Sequence, residues 1–238
     1  MSNPKLFRLI DHAVERYSMI EEGDRILIGA SGGKDSTALV EYFAHRMMRR
    51  SRGGTRFEIA ALHVSTEIGS PLHPSIVDAF GRWKVPLHIV PVSVLGRLKP
   101  GKRMNCWWCS TQRRTELNDF AIREGYNKIA LGHHLDDILE TLLMNALTKA
   151  ELSTMPPRLS YDKYPVTIIR PLCLADIPHI VRHAEAAGYM SATCTCDYQD
   201  NSGRKEARGK LDALTGGSYD EKRKLFDALS NIKKEYLP

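Results

Sequence analysis

The stretch 26–40, ILIGASGGKDSTALV, joins an apolar run to a helix-forming run through glycines, a lysine, an aspartate and a serine. A glycine-rich turn between a strand and a helix gathers backbone N–H groups and the positive end of a helix dipole, so it is suited to bind phosphate. Two common phosphate loops do not fit. The pattern G-x-x-x-x-G-K-[ST] needs Ser or Thr where Asp35 stands, and Gly29, Gly32 and Gly33 lack the G-x-G-x-x-G spacing. The turn is therefore of another class.

We call residues 31–36, SGGKDS, the phosphate loop. Its backbone amides, its hydroxyls and its ammonium group are all suited to polyphosphate. The residues that would donate to it are Ser31, Gly32, Gly33, Lys34 and Ser36. A carboxylate beside polyphosphate is repelled unless a cation lies between them, so we predict that Asp35 holds Mg²⁺. The alternative is a plain glycine turn in which Asp35 only caps the helix.

Cysteines are the second chemical group. The five are Cys106, Cys109, Cys173, Cys194 and Cys196. We expect ligands or reactive thiols rather than disulfides, because no apolar export segment follows the first residue. The CWWC pair opens a predicted helix, where thiolates have lowered pKa values that suit metal ligation and sulfur transfer. Spacing alone is compatible with a Cys₄ zinc site. Cys173, in the apolar segment RPLCLAD, is predicted to be a core residue.

Two further groups have open interpretations. The segment GHHLDD, residues 132–137, leaves a predicted strand and enters a helix, so Asp136 and Asp137 would either cap that helix or support Mg²⁺, ATP or a base. Trp107 and Trp108 would either stack on a nucleobase or pack in the core.

The elements that must position these groups alternate along the chain. Apolar periodicity predicts helices at 5–17, 36–48, 74–83, 110–126 and 136–148 and strands at 25–29, 57–64, 87–94, 127–132 and 166–172. This order predicts an α/β fold with a parallel twisted sheet flanked by helices. In such a sheet the ligand lies beyond the carboxyl ends of the strands. The phosphate loop and the loops HVSTEIG and LGHHLDD should therefore converge.

Length and charge set limits on function. We predict an N-terminal helix in 1–22, a main domain in 23–200 and a C-terminal helical tail in 201–238. No apolar run approaches 18 residues, so we expect no membrane span and a cytoplasmic location. The chain has 34 Lys and Arg against 28 Asp and Glu. The basic clusters lie at 45–56, 96–103, 110–114 and 203–210, as expected of a nucleic-acid-binding protein.

The motifs resemble a known family. SGGKDS resembles the PP-loop of the N-type ATP pyrophosphatases, which cleave ATP between its α- and β-phosphates and have a Rossmann-like, adenine nucleotide alpha hydrolase-like fold. Four later motifs are similar, in order, to the tRNA 2-thiocytidine synthetase family. They are CWWCSTQRR at 106–114, KIALGHHLDDILETLLMN at 128–145, MPPRL at 155–159 and IRPL at 169–172. The resemblance extends from about residue 25 to about residue 210.

The resemblance implies a set of site residues. The predicted ATP contacts are Ala30, Ser31, Gly32, Gly33, Lys34, Asp35, Ser36, His63, Gly132 and Asp137. Lys34 and Asp35 would be catalytic, with Asp35 as the Mg²⁺ ligand. Members of this branch hold a [4Fe–4S] cluster with three cysteines. The corresponding residues here are Cys106, Cys109 and Cys196; the family usually has a CxxC-like pair in the last segment, where this chain has CxC, so Cys194 remains an alternative.

The resemblance also implies a reaction. ATP would adenylate a pyrimidine C2 carbonyl of tRNA, with cytidine at position 32 as the expected base, and sulfur would then replace oxygen. Expected partners are tRNA and a sulfur donor such as a cysteine desulfurase; the sequence allows a homodimer without specifying it. Three alternatives remain: a 2-thiouridine-forming relative, a lysidine-type enzyme, which would not need the CxxC pair, and an ATP- and cluster-binding regulator that does not turn over.

Overall fold

The apolar runs of the chain form the strands of one sheet, and amphipathic segments form the helices around it. The computed structural model describes residues 4–49, 54–161, 164–190 and 202–236. The strands are β1 Asp24–Gly29, β2 Phe57–Thr66, β3 Leu87–Val92, β4 Lys128–Ala130, β5 Arg158–Ser160 and β6 Thr167–Ile169. The helices are α1 Lys5–Arg16, α2 Lys34–Arg49, α3 Pro74–Arg82, α4 Cys106–Arg123, α5 Leu135–Lys149, α6 Ile177–Ala187, α7 Ser202–Thr215 and α8 Tyr219–Ala228.

The sheet has the order β3-β2-β1-β4-β6-β5. β1 pairs in parallel with both β2 and β4, so the chain runs outward through β2 and β3 and then returns to the other side of β1. This reversal makes the carboxyl ends of β1 and β4 the topological switch point, where doubly wound sheets bind ligands. The predicted α/β class is confirmed.

One edge of the sheet differs from the prediction. β5 was not predicted, and it pairs antiparallel with β6, with Leu159 opposite Ile168. A three-residue strand containing Arg158 and Ser160 carries no apolar run of its own. Its strand conformation depends on pairing with β6, which sequence periodicity does not report.

β1 separates two apolar layers. Ile26 and Ile28 face a core that also contains buried residues of α1, α2, α5 and α6. Leu27 faces the opposite layer, which includes Leu117 and Phe120 of α4. Burying each such side chain contributes about 1.5–3 kcal/mol, so both faces of the central strand stabilise the sheet.

Three of the element boundaries that differ from the sequence prediction have a clear local cause. α2 begins at Lys34, since the Gly33 carbonyl accepts the first helical hydrogen bond from the Thr37 N–H. α4 begins at Cys106 rather than near residue 110, since the Asn105 side chain caps it. β6 ends at Ile169, and the following Pro171–Leu174 form a 3₁₀ turn because proline has no N–H to donate to the ladder.

The last two helices pack against α5. Three of their cations pair with three α5 carboxylates, in the pairs Arg204–Asp137, Arg208–Glu140 and Lys222–Asp136. Leu211 and Phe226 are buried in the same core as α1. The division into an N-terminal helix, a main domain and a tail remains a prediction. In the part of the chain described, none of the helices has the length and apolar character needed to cross a bilayer.

Candidate nucleotide and cysteine site

The phosphate loop is held in a fixed turn by its own side chains. Gly32 has φ +86°, a left-handed conformation that favours glycine. The Ser31 and Ser36 hydroxyl oxygens lie 3.1 Å apart, and the Gly33 N–H donates to the Ser31 hydroxyl at 3.3 Å. The first helical bond of α2 starts at the Thr37 N–H, so the preceding amides lie at the positive end of the helix. The turn therefore has the features of an anion site.

Lys34 and Asp35 begin α2 side by side. The Lys34 ammonium lies 3.0 Å from one Asp35 carboxylate oxygen, and each side chain is about a quarter exposed, at 23% and 27%. Among the described residues, no group of three or more His, Cys, Asp or Glu side chains is arranged to hold a metal ion by itself. Mg²⁺ in nucleotide sites is usually bound by one or two carboxylates together with phosphate oxygens and water. A single carboxylate beside the phosphate loop fits that pattern.

The loop after β4 comes very close to the phosphate loop. A Cβ placed on Gly132 would lie 3.2 Å from the Ser36 nitrogen and 3.3 Å from the Asp35 carbonyl carbon. These are backbone atoms at the start of a helix, so they cannot move aside easily. Gly132 therefore allows the close approach of these two loops at the switch point, and its contact with ATP remains a prediction.

His63 lies near the end of the buried part of β2 and contacts the loop after β1. Its Nδ1 donates to the Ala30 carbonyl at 2.8 Å, so the neutral ring presents Nε2 as an acceptor. Burial lowers the pKa of His63; the Ala30 bond opposes this and the charge of Arg113 adds to it. The Nε2 atom is buried and has no hydrogen-bond partner among the described residues. This acceptor lines a cleft beside the phosphate loop.

The carboxylates of the GHHLDD segment act as structural groups. His134 and Asp137 form a capping box at the start of α5, in which each side chain accepts from the other residue's N–H. Burial pushes the pKa of Asp137 upward, but His134, His133 and Arg204 outweigh it and hold the pKa below its ordinary value. Asp136 is buried against Lys222 at 2.7 Å. The capping interpretation of the sequence agrees with this geometry, and nucleotide binding by Asp137 remains a prediction.

His133, in the same segment, lines a cleft together with Ser31 of the phosphate loop. Its Nδ1 accepts from the Arg170 guanidinium at 3.3 Å. Burial lowers the pKa of His133 to about 4; Asp137 opposes the shift and the surrounding arginines add to it. The ring is therefore neutral at pH 7 and serves as an uncharged wall of the cleft.

The cysteine pair lies on the first turn of α4. Cys106 and Cys109 are both half-buried. Glu67, in the loop after β2, accepts from the N–H groups of Val94 and Leu95, and these bonds lower its pKa to about 2. The carboxylate thus ties the segment that precedes α4 to the end of β2.

Of the other three cysteines, one lies in the core and two lie outside the described residues. Cys173 is fully buried in the main core, and burial raises the pKa of its thiol to about 12. It stays a neutral thiol at pH 7, so the prediction of a core residue agrees with the structure. Cys194 and Cys196 lie outside the described residues, and the identity of the third ligand stays a prediction.

Two adjoining clefts connect the phosphate loop to the cysteine helix. The first, of about 230 Å³, is lined by Gly29, Ala30, Ser31, Leu62, Val64, Ser110, Arg113, Arg114, Leu117, Leu131 and His133. The second, of about 190 Å³, includes Cys109 together with Ser31, Gly33 and His63. Both include Arg113, one helical turn after Cys109. From the sequence, Arg113 and Arg114 belong only to a basic cluster; the helical spacing of Arg113 from Cys109 is the signal that places them at this site.

A doubly wound sheet with a glycine-rich phosphate turn at its switch point, followed by Lys-Asp-Ser on a helix, defines a PP-loop type of nucleotide-binding domain. A family model described as PP-loop domain matches residues 4–190.

Sequence relatives narrow the class. The chain is 35% identical to the tRNA-cytidine(32) 2-sulfurtransferase of Anaeromyxobacter dehalogenans (strain 2CP-C), covering 98% of this chain and 81% of the relative. It is also 35% identical to the protein of that name from Nitrosospira multiformis, covering 98% and 78%. The chain therefore belongs to the PP-loop family and, within it, to the family of the tRNA-cytidine(32) 2-sulfurtransferases.

A solved structure supports the fold. The U34-tRNA thiolase NcsA from Methanococcus maripaludis, described with its [4Fe-4S] cluster, superposes with a TM-score of 0.74 at 21% identity, covering 98% of this chain and 79% of the other. At this identity the likeness establishes a common fold.

Proposed function

We propose that this protein is an ATP-dependent tRNA thiolase that converts cytidine at position 32 to 2-thiocytidine. The observation that carries the proposal is that Ser31 and Gly33 of the phosphate loop line the same cleft as Cys109. ATP activation and sulfur delivery must act on one base, so their groups must lie within reach of one pocket. The names of the sequence relatives supply the base and the position.

The chain's own residues account for the activation step. The base O2 attacks the α-phosphate of ATP. The bond from the α-phosphorus to the bridging oxygen breaks, and pyrophosphate leaves with that oxygen and the electron pair. The phosphate-loop amides and Lys34 stabilise the charge that develops on the leaving group. Asp35 would hold Mg²⁺ on the phosphates. The apolar wall formed by Leu62, Leu117 and Leu131 limits water around the adenylated base.

The second step replaces oxygen by sulfur. A sulfur nucleophile adds at C2, and AMP leaves with the former O2. Cys106 and Cys109 are soft thiolate donors on one helical turn, which fits a [4Fe–4S] cluster, and Cys196 is the predicted third ligand. Held by these residues, such a cluster would supply the sulfur nucleophile for the adenylated base. The same donors also suit zinc, and chemical analysis of the bound metal distinguishes the two.

Partners follow from this chemistry. The substrate is a tRNA, in keeping with the basic clusters of the chain. The sulfur atom comes from a donor protein such as a cysteine desulfurase, and a homodimer is one assembly compatible with the proposal. We place the reaction in the cytoplasm, where tRNA is modified.

The test is nucleoside mass spectrometry after anaerobic incubation of the purified protein with unmodified tRNA, ATP, Mg²⁺ and sulfide. We expect 2-thiocytidine, together with AMP and pyrophosphate whose release depends on tRNA. Accumulation of 2-thiouridine would identify the uridine-modifying alternative. Absence of tRNA-dependent AMP would contradict the proposal and favour a regulator.

A further inference from the structure

The two adjacent tryptophans of the CWWC segment have different environments. Trp108 is half-buried, and its indole N–H donates to the Val94 carbonyl at 2.9 Å. Trp107 has 72% of its surface exposed. A tryptophan gains stability by burial, so an indole left in water on a fixed helix suggests a contact made with another molecule.

The backbone beneath Trp107 is rigidly held. Asn105 caps the helix by accepting from the Trp108 N–H at 2.8 Å. The hydroxyls of Ser110 and Thr111 donate to the Trp107 carbonyl at 3.0 and 2.8 Å. The indole therefore projects from an ordered turn, and binding a flat ligand on it would cost little ordering of the backbone.

The segment that leads into this turn is cationic. Lys99, Lys102 and Arg103 are exposed, and no ion pair within the described ranges involves any of them. Arg97, by contrast, lies 3.5 Å from Glu116. Cations without carboxylate partners that precede an exposed aromatic ring by a few residues match a single-stranded nucleic acid, in which phosphates alternate with stackable bases.

The position of the Trp107 ring relative to the cleft indicates which base of the RNA would stack on it. Trp107 lies between Cys106 and Cys109, but successive helical positions point in different directions, so it faces solvent while Cys109 lines the cleft. The base that reacts must enter the cleft. A base stacked on Trp107 would therefore be an unpaired neighbour of the reacting one.

We propose that Trp107 is a stacking platform for an unpaired base of the RNA substrate and that Lys99, Lys102 and Arg103 bind its phosphates. This inference rests on the proposed function, because it takes the RNA substrate from it. The platform gives preference for a loop over a helix, since bases in a duplex have no open face to offer.

The test compares two RNA probes: a 17-nucleotide stem–loop with seven unpaired bases and a blunt duplex of matched length. Trp107→Ala is expected to weaken stem–loop binding by about 5- to 140-fold, the range for loss of one base–aromatic stack. Trp107→Tyr should restore binding to within a few-fold, because it keeps an aromatic face. Duplex binding should be unchanged in both variants.

Two controls complete the design. Leu95→Ala removes another exposed apolar side chain, 46% exposed, and should leave stem–loop binding unchanged. The triple variant Lys99→Ala, Lys102→Ala, Arg103→Ala should weaken both probes and reduce the slope of log affinity against log salt by about 2, at roughly 0.7 per single-strand phosphate contact. Melting temperatures of the variants are measured to confirm that each is folded.

The outcomes separate this inference from the proposed function. Equal stem–loop affinity in wild type and Trp107→Ala would overturn the platform, even if the wild type thiolates tRNA. A Trp107-dependent stem–loop affinity in a protein that forms no thiolated nucleoside would support the platform and contradict the proposed function. Equal loss on the duplex and the stem–loop would show a general contact and also overturn the inference.

Discussion

Two helices, α2 and α4, begin at the same cleft, but they differ in whether a side chain caps the free amides at their N-termini. α2 follows Gly32 and Gly33, whose small turn leaves the first amides of the helix beside the phosphate loop. α4 is closed by the Asn105 side chain, which accepts from the Trp108 N–H. A glycine turn leaves the amides to a ligand, whereas an asparagine cap uses one of them within the protein.

The difference indicates which part of each helix would bind ligands under the proposed function. At α2 the backbone amides would bind phosphate, with Lys34 and Asp35 adding charge. At α4 the side chains of Cys106 and Cys109 would bind the metal, because the Asn105 side chain already accepts from one of the free amides. The start of α5 is closed in the manner of α4, by the capping box of His134 and Asp137. Of these three helix starts, α2 alone has the form of a phosphate site.

The largest effect is expected for a substitution at the start of α2. Asp35→Ala should reduce tRNA-dependent AMP formation by about 100-fold or more, because the carboxylate is proposed to hold the metal on the phosphates. The fold should remain intact, since the side chain is part of no apolar core. AMP release is measured by chromatography of the nucleotides.

The matched control is Asp78→Ala, which removes an exposed carboxylate from α3. It should keep wild-type AMP formation. Wild-type turnover in Asp35→Ala would show that Asp35 has no part in the mechanism. Phosphate binding at the start of α2 would then depend on the backbone amides and Lys34 alone.

The cysteine side is tested next. Serine at Cys106, Cys109 or Cys196 should remove most of the iron from anaerobically prepared protein, which otherwise carries about four irons per chain. Binding of ATP should persist, because the phosphate loop is built from other residues. Iron and sulfide are determined chemically, and ATP binding by calorimetry.

Cys173→Ala serves as the control for the cysteine series, because that thiol is buried in the core and should leave the iron bound. Cys194→Ser should leave it bound as well. Stoichiometric zinc in place of iron, dependent on Cys194, would contradict the cluster and require another sulfur carrier.

A third prediction concerns pH and the wall of the cleft on the α2 side. His133 has a folded-state pKa of about 4, against about 6.5 for an unfolded histidine. Between these values the unfolded chain binds the extra proton, so the free energy of unfolding falls as pH drops from about 6.5 to about 4, by about 3 kcal/mol or less. Above that window the contribution is fully present.

Urea unfolding at pH 7 and at pH 4.5 measures this effect. His133→Asn keeps a polar side chain that does not titrate, so the variant should lose less stability than the wild type over the same interval. An identical pH dependence in both proteins would show that His133 is not kept neutral by burial.

The smallest effect sharpens the contrast between the helix starts. Asn105→Ala removes the cap of α4 and should cost about 1 kcal/mol of unfolding free energy. The variant should also lose iron faster than the wild type, because the first turn of α4, which carries Cys106 and Cys109, would fray. Ser218→Ala removes the cap of α8, where the hydroxyl accepts from the Glu221 N–H at 3.4 Å, and should cost a similar amount. Iron retention should not change in that control; equal loss in both would make the effect one of general stability.

Sequence reasoning reached furthest where a short segment carries its own signal. The phosphate loop needs residues adjacent in the chain, so the type and order of 31–36 were enough to predict a phosphate turn between a strand and a helix. The long apolar runs of β1 and β2 likewise predicted a parallel sheet. The predicted start of α4 near residue 110 is four residues later than the observed start at Cys106, although asparagine at 105 is a recognisable capping residue.

Other features required distant segments to meet. The antiparallel β5 depends on β6, and the pairing of Lys222 with Asp136 joins residues 86 positions apart. Periodicity reports local conformation and is silent on such contacts. Nor did the sequence distinguish Trp107 from Trp108, because their exposures depend on Val94 and on how α4 lies against the sheet.

The sequence by itself determined the phosphate turn, the cysteine pair and the α/β class, because each depends on residue types at fixed local spacing. The tertiary structure decided that the turn and the cysteine helix share one cleft, that Asp136 and Asp137 are used in structural pairs, and that Trp107 faces water. The physical reason is that chain connectivity constrains neighbours directly, whereas contacts between distant residues depend on how the helices pack on the sheet.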